Sequence, residues 1–212
     1  MTEPTAQPPL RQAALPTHTL NGHQPRGSLE FLRGFVRNPA QVGSITPSSR
    51  HLEQRLVRNA RIGEARTVVE LGPGTGGTTA AFLQAMSPSA QLLAIELDGY
   101  FYQHLRGAIT DPRFGLELGS AQYLIDYLLA RRMRAPDAIV SGIPFSTMPP
   151  IVSERVAAAV ARVLRPGGRF VAYQVRAHVA DFMSPHLGPP DKEWEVVNMP
   201  PVRVFTWVKP QR

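Results

Sequence analysis

Short apolar runs alternate with helical periods along residues 67–175, and this alternation is the strongest structural signal in the chain. Apolar runs of this length, bounded by glycine, proline or aspartate, are typical of buried strands. The predicted strands are 67–71, 91–97, 115–118, 138–141 and 169–175.

Apolar residues at helical spacing fill the segments around these strands. Ser48 or Ser49 is expected to cap a helix that runs to about residue 60. The remaining predicted helices are 78–86, 99–107, 121–132 and 151–164. Strand–helix alternation at this spacing predicts an α/β fold, with a parallel sheet covered by helices on both faces.

The C-terminal stretch breaks the alternation of strands and helices. Two strand-like runs, 194–198 and 202–208, are separated only by Met199-Pro200-Pro201. Three residues are too few for a crossover helix, so these two strands are expected to pair antiparallel.

The N-terminal region divides into two parts. Residues 1–25 are rich in proline and lack periodicity, which predicts a mobile tail. Ser28 can cap a short amphipathic helix, 29–37, with Phe31 and Phe35 on its apolar face and arginines on the other side. We therefore expect a tail (1–25), an amphipathic helix with its loop (26–47) and one larger domain (48–212).

Composition narrows the possible functions. The 212 residues are 43% hydrophobic, which allows a real core, and the absence of cysteine excludes disulfides, Cys-zinc sites, iron–sulfur clusters and thiol catalysis. We expect no resident metal. No apolar window is long enough to span a bilayer and no secretory signal is visible, which predicts a cytoplasmic protein. The net charge of +7 favours an anionic partner: nucleic acid, acidic lipid or a phosphorylated molecule.

A glycine-rich turn follows the first predicted strand. Gly72, Gly74 and Gly76 allow a ligand to approach the backbone, and amides at the start of the next helix can face an anionic or polar group. Glu96 ends the second strand, where a carboxylate can accept hydrogen bonds from both ribose hydroxyls. Since Gly72, Gly74 and Gly77 also satisfy the G-x-G-x-x-G spacing, a dinucleotide stays open, as does a purely structural turn.

These segments resemble the class I S-adenosylmethionine-dependent methyltransferases. The resemblance covers about residues 48–209 and rests on Glu70-x-Gly72-x-Gly74-x-Gly76, Ile95-Glu96-Leu97-Asp98 and Leu164-Arg165-Pro166-Gly167-Gly168. It implies a Rossmann-like seven-stranded sheet whose last strand is reversed, with S-adenosylmethionine as cofactor.

The resemblance also implies a set of cofactor contacts. They are Glu70, Gly72, Gly74, Gly76, Glu96, Ser120, Ala121 and Ser141. The chain departs from the family where many relatives have Gly-Asp-Ala, because it carries Gly119-Ser120-Ala121. Ser120 can still hydrogen-bond an adenine amino group, but it brings no charge.

A narrower resemblance is to bacterial phospholipid N-methyltransferases that methylate phosphatidylethanolamine. It rests on segments 38–49, 141–145 and 198–204. It implies that carbonyl oxygens around Ser141 and Gly142 hold the amine, with Phe145 packing on it. His51 and Tyr173 could act as general bases by residue type, but neither is assigned to the catalytic set.

We therefore expect a methyltransferase that acts on a phospholipid amine while bound to the inner face of the cell membrane. The membrane contacts predicted are Arg26, Phe31, Arg33, Phe35 and Arg37. Three alternatives stay open: the apolar helix face packs as core, the acceptor is RNA adenine or a soluble metabolite, or the fold only binds cofactor. The RNA enzymes of this class carry a helical domain after the last strand, which is not expected here, so nucleic acid is disfavoured.

Overall fold

The computed structural model describes residues 48–211. The predicted tail and the amphipathic helix with its membrane contacts lie outside the described residues.

A seven-stranded sheet forms the centre of the domain, in the order β3-β2-β1-β4-β5-β7-β6. The strands β1 to β5 are parallel, and β7 runs antiparallel to both of its neighbours, β5 and β6. Their bounds are β1 Thr67–Leu71, β2 Gln91–Glu96, β3 Phe114–Leu118, β4 Ala138–Ser141, β5 Arg169–Gln174, β6 Asp191–Glu195 and β7 Val202–Val208. This architecture confirms the predicted fold class, including the reversed last strand.

Six α-helices accompany the strands in the described part of the chain. They are α1 Arg50–Asn59, α2 Gly77–Ala85, α3 Gly99–Ala108, α4 Leu124–Ala130, α5 Pro150–Val163 and α6 Val179–Leu187. The predicted cap of α1 is Ser49, whose side chain accepts a hydrogen bond from the Leu52 N–H. Asp98 caps α3 in the same way, with the amides of Tyr100 and Phe101 as donors.

The two faces of the sheet bury separate apolar layers. Helices α4, α5 and α6 pack on one face, where Val156, Phe170 and Trp207 are buried. Helices α1 and α2 pack on the other face, around Leu56 and Phe82. The central strands are buried on both sides, which explains why they read as continuous apolar runs rather than as an alternating pattern.

The structure differs from the predicted elements at three places. Helix α6 was missed, because it contains Pro185 and has no side-chain cap, although Val179, Met183 and Leu187 recur at helical spacing on its buried face. Strand β6 lies three residues earlier than predicted, because the charged residues 191–193 form the edge strand and the apolar residues after it form a loop. The helix predicted at 121–132 is a single 3-10 turn, Ala121–Tyr123, followed by the shorter α4.

No helix within the described residues combines the length and apolar character needed to cross a bilayer.

Candidate active site

The carboxyl ends of the parallel strands form the edge of the sheet that carries the candidate site. Strand order reverses between β1 and β4, and open α/β sheets bind ligands at such a switch point. Backbone hydrogen bonds join the strand ends there: the Gly72 N–H donates to the Ile95 carbonyl and the Gly142 N–H to the Leu71 carbonyl, both at 2.9 Å. The turns after β1 and β4 are therefore held side by side.

Three glycines of the turn after β1, Gly72, Gly74 and Gly76, have left-handed backbone conformations. Gly72 has φ +73°, and a Cβ added there would lie 2.7 Å from the Ile143 Cγ2, so the turn packs directly against the loop after β4. Gly74 has φ +55°, and a Cβ added there would meet no atom within 4 Å. Gly74 is thus the position at which the backbone is open to an incoming ligand.

Glu96 lies beside this turn, as predicted from its position at the end of β2. Its carboxylate accepts the Gly74 N–H at 3.0 Å and the Asp98 N–H at 2.9 Å. Burial raises the pKa of Glu96 above its ordinary value, while the hydrogen bonds from these two amides oppose the rise. The carboxylate oxygens are therefore fixed at the rim of the open Gly74 backbone.

Glu70 is more deeply buried and faces the start of α2. It accepts hydrogen bonds from the hydroxyl groups of Thr78 and Thr79, the latter at 2.6 Å. Burial raises the pKa of the Glu70 carboxyl to about 7, against the effect of the two hydroxyl donors, and the nearby Glu96 adds to the rise. Glu70 joins β1 to α2 and so positions the glycine turn; its oxygens are already engaged by protein groups.

Residues 72–75, 77 and 78 line one side of a cavity. We call this side the glycine-loop wall and include in it the buried acids Glu70 and Glu96, which do not line the cavity but hydrogen-bond to its residues Thr78 and Gly74. The opposite side, which we call the assembled wall, consists of residues that are distant in sequence. It is formed by Ser48, Gly142, Tyr173 and Asn198. Leu52, Phe101, Gln174, Val175 and Val202 complete the lining.

Tyr173 is central to the assembled wall. A Cβ at Gly142 would overlap the Tyr173 hydroxyl, so the two residues are in close contact. Burial raises the pKa of the Tyr173 phenol, and the nearby Glu70 adds to the rise, while the hydroxyls of Thr78 and Ser48 oppose it. The phenol consequently stays protonated at neutral pH, where it can donate or accept a hydrogen bond but does not act as a phenolate base.

Asn198 connects the assembled wall to the start of α1. Its side-chain oxygen accepts the Ser49 N–H at 3.0 Å, and its amide donates to the Pro200 carbonyl at 3.0 Å. Arg55 strengthens the same junction, because its guanidinium binds the carboxylates of Glu193 and Glu195. Helix α1 and the end of β6 are therefore joined across the mouth of the cavity.

The predicted substrate contacts Gly142 and Ser141 differ in their position relative to the cavity. Gly142 lines the cavity, and the Gln174 side chain donates to the Ile143 carbonyl at 2.6 Å to fix the turn that follows. Ser141 is completely buried, and its hydroxyl has no hydrogen-bond partner within residues 48–211. The carbonyl roles predicted for Ser141 and Gly142 stay predictions.

The predicted contact of Phe145 with the amine does not match its position. Its side chain is 1% exposed and packs in the core, with its ring centroid 6.1 Å from that of Phe182. Burying such a ring is worth about 2–3 kcal/mol, which holds it away from the cavity. We therefore expect Phe145 to support the Gly142 turn rather than to touch the substrate.

The remaining predicted cofactor residues, Gly76, Ser120 and Ala121, do not line the cavity. Gly76 caps α2 and packs against Leu105 of α3, which is a structural role. Ser120 and the buried Ala121 follow β3, beside Glu96, because the Gly119 N–H donates to the Glu96 carbonyl at 2.8 Å. Their proposed adenine contacts stay predictions.

Sequence reasoning did not assign several residues that line the cavity. Tyr173 was considered only as a base, and His51 is exposed on α1 outside the lining. Thr78, Phe101 and Asn198 received no role. Asn198 lies in a segment that carried the family resemblance, and that was the signal that could have identified it.

The residues present fit an adenosyl cofactor. The open backbone at Gly74 leaves room for a ligand to approach, and the buried Glu96 carboxylate beside it can accept hydrogen bonds from vicinal hydroxyls. Gly72, Gly74 and Glu96 would hold the nucleoside part. The assembled wall would then face the group that receives the methyl.

Comparison with known proteins identifies relatives of two kinds. No protein-family model matches the chain. It is 32% identical over 141 residues to the ornithine lipid N-methyltransferase of Singulisphaera acidiphila, which covers 66% of this chain and 73% of that protein. It is 30% identical over 159 residues to ribosomal RNA small subunit methyltransferase A of Nocardia farcinica, which covers 72% of this chain. The chain spans 50% of the length of that second relative.

Solved structures show the same fold. The O-methyltransferase of Bacillus cereus in complex with SAH has a TM-score of 0.64 at 14% identity, covering 90% of this chain and 94% of that one. The open glycine turn beside a buried acid would suit the ribose of either cofactor. The match to the Singulisphaera methyltransferase, however, extends over more than two thirds of that protein. The choice between dinucleotide and adenosyl cofactor is thereby decided: the chain belongs to the class I S-adenosylmethionine-dependent methyltransferases.

Proposed function

We propose that this enzyme methylates the primary amine of a membrane-lipid headgroup, converting phosphatidylethanolamine towards phosphatidylcholine at the membrane surface. The observation that carries the proposal is the 32% identity to an ornithine lipid N-methyltransferase over 73% of that relative. Phosphatidylethanolamine and ornithine lipid both carry a primary amine on a headgroup that is linked to acyl chains. The proposal therefore commits to that chemistry first, and to phosphatidylethanolamine second.

The assembled wall suits an amine acceptor. Gly142 and Tyr173 both line the cavity, and the phenol of Tyr173 is neutral. In the role proposed for them, the Gly142 carbonyl and the phenol oxygen accept hydrogen bonds from an ammonium or amine. When these oxygens hold the N–H groups of the amine, the wall and not water fixes the direction in which the nitrogen lone pair points. Positioning of this kind supplies much of the rate enhancement in a transfer between two bound groups.

The amine must lose its proton before it can accept a methyl group. An alkylammonium has a pKa near 10.4, so at pH 7.4 only about one molecule in a thousand is neutral, a cost of about 4 kcal/mol. S-adenosylmethionine supplies an already activated methyl group on a sulfonium. Desolvation in the cavity lowers the amine pKa. Because Tyr173 is itself protonated and does not act as a base, the proton of the ammonium leaves to solvent before the methyl transfer.

The N-terminal region completes the proposal. Arg26, Arg33 and Arg37 would contact anionic headgroups, each contributing about 1 kcal/mol, while Phe31 and Phe35 would insert beside them. The enzyme would then be a peripheral protein on the inner face of the cell membrane.

The test is incubation of the full chain with methyl-labelled cofactor and vesicles of phosphatidylethanolamine and phosphatidylglycerol, followed by lipid chromatography. A parallel arm contains ornithine lipid. Label in monomethyl or dimethyl phosphatidylethanolamine is expected; label only in ornithine lipid would retain the amine chemistry and replace the headgroup. Label in neither lipid would contradict the proposal.

A matched pair of variants makes this test specific. Gly142→Ala would bring a Cβ against the Tyr173 hydroxyl and should abolish lipid labelling. Gly107→Ala, on α3, introduces a Cβ that meets no atom within 4 Å and should label lipid like the wild type.

A second candidate acceptor is ribosomal RNA, favoured by the relationship to ribosomal RNA small subunit methyltransferase A. The same incubation with small-subunit ribosomal RNA in place of vesicles decides between the two. Labelled RNA together with unlabelled lipid would establish the second candidate.

A further inference from the structure

The loop between β6 and β7, residues 196–201, is an apolar surface that no interaction within the described residues explains. Val196, Val197 and Met199 are 70%, 58% and 76% exposed, respectively. No charged residue occurs between 196 and 202. Contiguous exposed apolar side chains of this kind mark a contact surface rather than ordinary surface variation.

The β6–β7 loop is held at the mouth of the candidate active site. Asn198 is buried, lines the cavity and is fixed by its hydrogen bond from the Ser49 N–H. The Val197 N–H also donates to the Glu195 carboxylate at 3.1 Å. The loop therefore turns one polar residue inward to the site while the apolar residues on either side of it lie exposed.

The base of the loop carries an aromatic–cationic pair. Trp194 of β6 and Arg203 of β7 are partners in the strand register, and the guanidinium lies 4.4 Å from the centre of the indole ring. Trp194 is 54% exposed. Tryptophan concentrates at the boundary between acyl chains and headgroups, where arginine can keep its charge in the polar layer.

We propose that the β6–β7 loop, together with Trp194, docks on the lipid bilayer and directs the mouth of the cavity to the headgroups. The inference rests on the proposed function, because a lipid amine remains attached to acyl chains that stay in the bilayer while the headgroup enters the site. Asn198 of this loop lines the cavity, so a bilayer bound to the loop would bring its headgroups to the cavity. We therefore take the bilayer as the partner of this surface. The contact is separate from the one predicted for residues 26–47.

The fluorescence of Trp194 tests this directly. The chain contains two tryptophans, and Trp207 is 1% exposed, so a change on adding vesicles reports mainly on Trp194. Vesicles of phosphatidylethanolamine and phosphatidylglycerol should shift the emission to shorter wavelength, and brominated acyl chains should quench it. Trp194→Phe should remove the response.

Partition into the same vesicles tests the loop itself. Val197→Asp combined with Met199→Asp should lower the partition coefficient about a hundredfold, since each buried apolar side chain contributes roughly a factor of ten. Leu129→Asp is the matched control, because Leu129 is also 70% exposed but lies near the end of α4. It should partition like the wild type.

Several outcomes would overturn the inference. They are sedimentation with vesicles without quenching of Trp194, an equal loss in the Leu129 control, or an emission shift that depends on protein concentration without vesicles. The last would indicate a second copy of the chain on the loop.

Lipid methylation in detergent micelles separates this inference from the proposed function. If the wild type methylates dispersed lipid but Trp194 is not quenched by bilayers, only the docking inference fails. If Trp194 is quenched and no lipid amine is methylated in either setting, docking stands and the proposed function fails.

Discussion

The two walls of the cavity are built by different means. The glycine-loop wall uses residues within a short stretch, 70–78, with Glu96 added from the next strand, and its contacts are backbone amides and hydroxyls bound to two buried acids. The assembled wall brings together residues as far apart as Ser48 and Asn198. The neighbouring Ser49 N–H donates to the Asn198 side chain, 149 positions along the chain. The first wall is a property of one strand–turn–helix unit, whereas the second exists only when the whole sheet has formed.

This difference separates what is common to the family from what is particular to this enzyme. A cofactor that all members share can be bound by a local turn. The relatives include both a lipid and a ribosomal RNA methyltransferase, so their acceptors differ. In our proposal the acceptor meets the wall that distant segments supply. Substitutions in each wall, and at the point where the walls touch, can therefore test this division.

The largest effect is expected where the walls touch, at Gly72. Gly72→Ala forces a left-handed conformation on alanine, at about 1–2 kcal/mol, and overlaps Ile143, at about 1–3 kcal/mol more. Urea denaturation should therefore show a loss of about 2–5 kcal/mol. Gly74→Ala is the comparison: it shares the positive φ but meets no atom within 4 Å, so it should lose only the first part while still weakening cofactor binding. Equal losses would mean that the turn does not press on the β4 loop.

The next effect belongs to Glu70, in the glycine-loop wall. Its pKa is raised from 4.5 to about 7, so between these values the folded chain holds a proton that the unfolded chain has released. Stability should therefore fall as pH rises from about 4.5 to about 7, by up to about 3 kcal/mol, and change little above that.

Glu70→Gln is expected to remove this contribution. Glu96 also has a raised pKa and acts in the same direction, so the difference between wild type and variant isolates Glu70. Unfolding free energies at pH 5 and pH 8 measure it. An identical decline in both proteins would show that Glu70 is ionised in the fold.

A smaller effect is expected for cofactor affinity at Glu96. Glu96→Ala removes the carboxylate beside Gly74, and hydrogen bonds to a charged acceptor contribute roughly 1.5–3 kcal/mol. Calorimetry with S-adenosylhomocysteine should show affinity reduced about ten- to hundredfold. Asp98→Asn serves as control, since asparagine caps a helix as well as aspartate does while removing a neighbouring charge. A similar loss in the control would attribute the effect to charge and not to the Glu96 oxygens.

The unequal success of sequence reasoning follows from the same contrast between the walls. Gly72, Gly74 and Glu96 could be placed because each follows a strand whose apolar run is unmistakable, and the carboxyl ends of parallel strands share one edge. Tyr173 could not, because nothing local distinguishes a tyrosine facing a cavity from one facing solvent; its neighbour Gly142 belongs to another strand end.

Two other failures have local causes. The pattern around Phe145 shows an aromatic residue after a Pro turn, but not whether the ring points to the core, and the structure buries it. The apolar residues Val196 and Val197 looked like a strand, yet the chain pairs the charged residues before them with β7 and leaves these two in a loop. Strand pairing overrode the hydrophobic pattern there.

The smallest effect is expected in the assembled wall, at Asn198. Asn198→Ala leaves the partly buried Ser49 N–H and the Pro200 carbonyl without their partner, which should cost about 1–2 kcal/mol of stability, because water can reach part of these groups. Methylation of the acceptor should fall more than cofactor affinity, since the residue holds only the assembled wall. Asn198→Asp keeps the acceptor for the Ser49 N–H and should recover part of the stability. Parallel measurement of cofactor binding and lipid turnover checks this: if both fall by the same factor in the alanine variant, the two walls do not act separately, and the division between a local cofactor wall and an assembled acceptor wall is wrong.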